Sequence, residues 1–340
     1  MTTLMRQEID EIPDAIARLL ETSSATLGAA GNTLKERNPA VIVTIARGSS
    51  DHAAYFLKYA IELQTGIPVA SLGPSLASIY DAPLKLDRAA AIAISQSGKS
   101  PDIVSLANNA KRGGALTFAL VNTLSSPLSD AATQAIDIQA GPEKAVAATK
   151  SFVNSIVAGL SILAAATDDR LLTKAIAALP ANFAKAIALD WSEIAQAIKG
   201  EDSLYMLGRG PALAIASEAA LKCKETCELH AEAYSSAEVM HGPVSLVAPK
   251  FPIIAFAARD RAEASVTETA NGLAEKGANV FLSSTKATSA KALPFVETNH
   301  PLTDALLLIA PFYGFIEALS RARGFNPDAP VALNKVTQTR

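Results

Sequence analysis

The sequence predicts an α/β protein of two similarly built domains, each a parallel sheet flanked by helices, with an N-terminal helix and a C-terminal tail. Three observations carry this. The chain has 340 residues, 49% of them apolar, enough for a sizeable core and, at usual domain sizes, for two domains. Short continuous apolar runs alternate with helical patterns, as expected of strands buried on both faces of a parallel sheet. The order of these runs also recurs at an offset of about 160 residues, far longer than a solenoid repeat.

In chain order, an amphipathic helix is predicted over 5–21, then a strand over 40–46 that ends at Arg47-Gly-Ser-Ser50 and leads into a helix. A second strand over 89–94 runs into Ser95-Gln-Ser-Gly-Lys-Ser100, and a third over 114–121 ends before Asn122. The second half replays this: 203–208 with Arg209-Gly210 answers the first strand, 252–256 the second and 277–282 the third. Between the halves, 168–198 is rich in Ala and Leu and helical in pattern, with Pro180 marking a break. The expected divisions are an N-terminal helical segment (1–30), a first domain (31–167), a helical connector (168–198), a second domain (199–325) and a tail (326–340) that contributes to the active site.

Charge and composition narrow the function. The formal net charge is −3 with no block of like charges, so neither a nucleic acid nor a membrane surface is an expected partner. The N-terminus lacks the basic start and apolar run of a secretory signal, which points to the cytoplasm. The longest apolar runs, 155–166 and 305–316, fall short of the roughly 20 residues of a membrane span and read as buried helices. Cys223 and Cys227 share a helix face but have no ligand partners spaced for a metal, so they read as small core residues, and no metal or cofactor is expected.

In an open parallel sheet, ligands bind at the carboxyl ends of the strands, where helix N-termini present N–H groups. Ser95, Gln96, Ser97 and Ser100 sit at such an end, and small hydroxyl residues around a glycine suit a phosphate monoester. A nucleotide P-loop is discounted, because its first glycine would fall at Ala93, inside the strand. The bland alternative is a serine that only caps a helix. Ser49 and Ser50, one strand over, can converge on the same pocket or serve as caps. Thr149 and Lys150 open another helix.

The segment 222–243 concentrates Lys222, Glu225, His230 and His241 among other charges. Such density is either a solvated face or a site of proton transfer. Lys222 and Glu225, three apart on one helix face, form either a surface salt bridge or a lysine-supported base.

These residues resemble the sugar isomerase (SIS) domain family, and within it the isomerase half of glucosamine-6-phosphate synthase. The resemblance rests on Ala46-Arg-Gly-Ser-Ser50, Ser95-Gln-Ser-Gly98, Val146-Ala-Ala-Thr-Lys150, Leu207-Gly-Arg-Gly210, Glu218-Ala-Ala-Leu-Lys-Cys-Lys-Glu225, His230-Ala-Glu-Ala-Tyr234, His241-Gly-Pro243 and Leu333-Asn-Lys335, and covers nearly the whole chain. It implies two flavodoxin-like SIS domains in a homodimer with shared active sites near the subunit interface.

The resemblance also implies residue roles. Ser95, Gln96, Ser97 and Ser100 match the phosphate loop, Ser49 and Ser50 the sugar- and phosphate-contacting pair, and Val146 with Ala147 the sugar pocket. Glu225 matches the carboxylate that moves a proton between C1 and C2. His241 matches the ring-opening histidine, Lys335 the lysine that forms a Schiff base with the open-chain ketose, and Lys222 a further active-site lysine.

Departures choose among reactions. The chain lacks the synthase's N-terminal glutaminase part, and Met240, Val331 and Lys99 replace two basic residues and an acidic one of its pattern. The tail is closer to stand-alone SIS deaminases. The leading expectation is therefore a glucosamine-6-phosphate deaminase acting on a hexosamine 6-phosphate. The alternatives are a fructosamine-6-phosphate deglycase, an aldose–ketose isomerase, or a silent phosphosugar sensor, which would have no need of Glu225, His241 and Lys335.

Overall fold

The computed structural model describes residues 2–333 and residue 335, and they divide into two compact bodies. One comprises Glu11–Glu143, Ala148–Pro180 and Lys335; the other comprises the residues up to Asp10, Lys144–Ala147 and Ala181–Leu333.

The first of these bodies holds the parallel strands β1 (Val41–Ile45), β2 (Val69–Ser71), β3 (Ala89–Ser95), β4 (Leu116–Val121) and β5 (Gln134–Asp137) in the order β2-β1-β3-β4-β5. Alternation of side chains across the sheet sends Val43, Ala91 and Ala119 into a core with Ile103, Leu106 and Ala110 of the helix Pro101–Arg112. Ile92, Phe118 and Leu120 face the other way, toward Leu57, Ile61 and Leu163. Every residue of β3 is buried, so its loop leaves a strand fixed from both sides.

The other body repeats the plan with β6 (Ser203–Gly208), β7 (His230–Ser235), β8 (Pro252–Ala255), β9 (Asn279–Leu282) and β10 (Lys291–Ala292), ordered β10-β9-β8-β6-β7 and parallel throughout. Read from β7, this is the flavodoxin-like order of the first sheet. The duplication seen in the sequence is thus a duplication of topology.

Several elements differ from the sequence reading. The helix expected over 5–21 is two helices, Leu4–Asp10 and Ile12–Thr22, because Pro13 has no N–H to continue the first. The stretch 168–198 contains three helices, Arg170–Ala177, Leu179–Ile187 and Ile194–Ile198. The two long apolar segments, with their flanks, reach 18 residues in Lys150–Thr167 and 22 in Pro301–Ala322, long and apolar enough to cross a membrane by length and composition alone. Of these windows 78% and 89% are buried inside the protein, so both serve as core helices. Strands β2, β5, β7 and β10 went unread. They are short or, like β7 (His-Ala-Glu-Ala-Tyr-Ser), carry polar side chains along a sheet edge.

Helix Ser24–Arg37 packs closely on Lys150–Thr167: a Cβ on Gly31 would lie 2.4 Å from Ala165 Cβ and 2.7 Å from the Ile162 carbonyl oxygen. One helical turn earlier, a Cβ on Gly28 meets nothing within 4 Å. Gly31→Ala is expected to cost about 1–3 kcal/mol through overpacking, and Gly28→Ala to be neutral or stabilising by up to about 1 kcal/mol. Paired urea melts check the contrast.

Candidate active site

At the point where the first sheet's order reverses, between the carboxyl ends of β1 and β3, lies a cavity of about 260 Å³. Arg47, Gly48 and Ser50 reach it from the end of β1, Ser95, Gln96, Ser97 and Ser100 from the end of β3, and Lys335 from the tail. Two long helices begin there, Gly48–Thr65 and Pro101–Arg112, so their N-terminal dipoles favour an anion.

The loop after β3 is held by its own backbone. Gly98 has φ +63°, and a Cβ there would lie 2.3 Å from Ser126 Oγ, so only glycine fits. Ser95 Oγ accepts the Gly98 N–H at 3.1 Å and Ser97 Oγ the Lys99 N–H at 3.3 Å; each hydroxyl keeps its own proton to donate. Ser100 is the N-cap of Pro101–Arg112 but makes no side-chain capping bond. Arg47, not Ser49 or Ser50, is the N-cap of Gly48–Thr65, again without a capping bond. The serines are therefore not spent on capping. Ser50 lines the cavity; Ser49, half-buried in the same helical turn, is not among its lining residues.

Lys335 Nζ donates to Glu143 Oε2 at 3.0 Å. The Glu143 side chain is fully buried and also accepts the N–H groups of Thr149 and Ser151, both at 3.0 Å, and the Ser151 hydroxyl at 2.7 Å. Burial pushes its pKa up, but the Lys335 ammonium and the Ser151 and Thr149 donors prevail and hold it below the usual carboxylate value. The helix N-terminus at Thr149–Lys150, offered by the sequence as a pocket wall, is thus taken up by Glu143, while Lys150 pairs with Glu11.

In the other body, the helix Pro211–Cys227 carries a buried triad. Lys222 Nζ lies 2.5 Å from Glu225 Oε2 and 3.1 Å from Glu218 Oε1; the side chains of Lys222 and Glu218 have no exposure, and that of Glu225 is 20% exposed. Tyr313 donates its hydroxyl to Glu218 at 3.2 Å. Burial alone would lower the lysine pKa, but the Glu218 and Glu225 carboxylates raise it well above the lysine range. Lys222 is a locked ammonium, and Glu225 is the triad's accessible end. This is not the surface salt bridge that spacing alone allows.

His241 ends the short 3₁₀ turn Glu238–His241 and is exposed. Val146 is half-buried and Ala147 buried. Their segment is fixed by the Asp328 carbonyl, which accepts the Val146 N–H at 3.0 Å, and by the Glu8 carboxylate, which accepts the N–H groups of Lys144 and Ala145. Cys223 and Cys227 are buried free thiols whose pKa burial raises, that of Cys227 to about 11. Glu232 lies on β7 and accepts the Tyr234 hydroxyl at 2.6 Å. Of the tail motif, Asn334 lies outside the described residues.

Sequence reasoning missed Glu143, Glu218 and Arg47 as site residues. Glu218 stands four residues before Lys222, a spacing that places it on the same helix face. Glu143 is a lone acid in a loop and gave no local signal.

Because its folded pKa is lowered, Glu143 contributes stability that is complete above the unfolded glutamate value of about 4.3 and fades as pH falls through the folded value. Glu143→Gln is expected to lower stability at neutral pH and to remove that part of the acid dependence, read by urea melts across the acid range. Lys222→Met leaves two buried carboxylates without their cation and should cost about 3–5 kcal/mol, read at neutral pH by the same melts.

Comparison with known proteins identifies the family. The SIS domain model matches residues 37–165 and 197–292. A crystal structure of a proposed phosphosugar isomerase from Silicibacter pomeroyi DSS-3 is 53% identical, with a TM-score of 0.93 over 96% of this chain and 100% of that one. The C-terminal domain of glucosamine-fructose-6-phosphate aminotransferase from Francisella tularensis is 26% identical, with a TM-score of 0.84 over 97% of this chain and 99% of that one. Among curated proteins, glutamine–fructose-6-phosphate aminotransferase (isomerizing) of Aquifex aeolicus is 30% identical over 97% of this chain; the match spans only 57% of that relative's length. With matches to both halves of the chain, around both duplicated sheets, the protein belongs to the SIS domain family.

Proposed function

We propose that the protein moves a proton between C1 and C2 of a hexose 6-phosphate, and that its substrate is glucosamine 6-phosphate, converted with water to fructose 6-phosphate and ammonia. The observation that carries this reading is Glu225, a partly exposed carboxylate 2.5 Å from a fully buried ammonium. A carboxylate that reaches solvent beside a fixed cation is placed to carry a C–H proton. The cavity at the ends of β1 and β3 supports the phosphate half, and the relatives' names join fructose 6-phosphate with an isomerising step.

In this scheme Ser50, Ser95, Gln96, Ser97 and Ser100 hold the phosphate, and Ser49, Val146 and Ala147 contact the sugar. His241 opens the ring, the role its match to the family's histidine implies. Glu225 takes the proton from C2 of the open-chain aminoaldose and returns it at C1. The product is a C2 imine, which water hydrolyses to the ketone with loss of ammonia. Lys222, beside Glu225, steadies the enol-like intermediate, and Lys335 engages the open-chain carbonyl. The reading carries with it the family's homodimer with shared sites, a cytoplasmic setting and a small sugar phosphate as partner.

A plain aldose–ketose isomerase is the second reading, favoured by the 53% identity to a proposed phosphosugar isomerase. It uses the same proton transfer and lacks only the nitrogen at C2. Purified protein should release ammonia from glucosamine 6-phosphate, assayed beside galactosamine and N-acetylglucosamine 6-phosphates and beside interconversion of glucose and fructose 6-phosphates. Glu225→Gln should lower kcat about 10²–10⁴-fold with KM little changed. Interconversion without ammonia release selects the second reading. No turnover in either assay, with Glu225→Gln indistinguishable from wild type, ends both.

A further inference from the structure

Arg47 is the guanidinium at the cavity, and proton transfer has no use for it. Its Nε and Nη2 both lie 3.1 Å from one oxygen, Oδ2, of Asp102. The Asp102 side chain is fully buried, whereas the Arg47 side chain is 54% exposed and lines the cavity. Asp102 stands in the first turn of Pro101–Arg112, where a helix N-terminus favours a carboxylate. It grips the guanidinium from behind and cannot itself come forward to the ligand. A guanidinium has five N–H donors in a rigid fork, and a grip through one carboxylate oxygen leaves donors for an anion in the cavity.

We propose that Arg47 sets the charge selectivity of this cavity, reading the second negative charge of a phosphomonoester. The hydroxyls of Ser50, Ser95, Ser97 and Ser100 are neutral donors. They suit any tetrahedral oxyanion and separate a phosphate ester from a sulfate ester only weakly. A fixed cation gains Coulomb energy in proportion to the ligand's charge. Lys335, the other cation lining the cavity among the described residues, is paired with Glu143 and gives a background contribution that Arg47 variants leave in place. The inference deepens the phosphosugar reading of the cavity and rests on it.

The test is calorimetric binding of glucose 6-phosphate and glucose 6-sulfate, well above the second phosphate pKa of about 6, where the first ester is a dianion and the second a monoanion. Wild type should prefer the phosphate by at least about tenfold. Arg47→Gln should weaken phosphate binding about 10- to 100-fold and sulfate binding only a few-fold, and Arg47→Lys should fall between. Equal losses for the two esters, or none, overturn the proposal. If thermal melts show that Arg47→Gln does not fold, wild type decides, since equal affinity for the two esters also overturns it. Calorimetry reads binding alone, so the outcome stands whether or not any hexosamine 6-phosphate is turned over. Failure of both esters to bind would instead strike at the phosphosugar reading itself.

Discussion

A parallel sheet that starts with its inner strand and then adds strands on both sides must open a crevice beside that strand. In the order β2-β1-β3-β4-β5 the chain leaves β1 toward one edge and later returns to its other side at β3, so the loops after β1 and β3 part at their carboxyl ends. The candidate phosphate cavity depends on this separation. The second sheet has the same order and hence the same crevice, but its residues answer differently. There Asp260 accepts the Ala262 N–H at 2.7 Å, and Glu263 takes the Ser284 hydroxyl at 2.8 Å and the Lys286 ammonium at 2.6 Å. One crevice is lined by hydroxyls that keep a proton to donate, and the other holds carboxylates paired with the chain's own donors. The two sheets share a strand order and differ in the side chains set at their strand ends.

A second regularity runs through the charged groups. Arg47 is backed by Asp102, Lys335 by Glu143 and Lys222 by Glu218, and all three acids have no exposed side-chain surface. Removing a carboxylate from water costs several kcal/mol, which a close cation and fixed N–H donors must offset. Where they do, the acid is held in place, and its cation inherits a defined direction. The acids thus act as fixed anchors, and the more exposed partners, Arg47 and Lys335, together with Glu225 beyond Lys222, present themselves to solvent.

Much of this was legible in the sequence because it is local. A buried parallel strand is an unbroken apolar run, and the hydroxyl loop follows it directly, so Ser95–Ser100 could be placed from residues 89–100 alone. Lys222 and Glu225 share a helical face by spacing. The unreadable parts are either long-range or polar. Glu143 gains its meaning from Lys335, separated from it by 192 positions, and nothing in Gly-Pro-Glu-Lys announces that contact. Strand β7 hides because its residues alternate with Glu232 and Tyr234, whose hydrogen bond stabilises the edge without any apolar signature. The charged stretch at 222–243 looked like one cluster. It is the end of a helix, an edge strand and an exposed turn, and only its first part is a triad.

The same physics separates the two lysines that resemblance assigned to the site. A Schiff base begins with attack by a neutral amine, whose lone pair must be free. Lys222 has none to offer: two carboxylates surround its Nζ, its pKa is raised, and no part of its side chain is exposed. To deprotonate it would leave Glu218 and Glu225 facing each other in a buried space. Lys335 has a side chain 24% exposed, pairs with the Glu143 carboxylate, and lines the cavity at the ends of β1 and β3. A Schiff base in the proposed reaction is therefore assigned to Lys335 and not to Lys222. The charge on Lys222 serves a different end, as the buried cation that joins Glu218 to the more exposed Glu225.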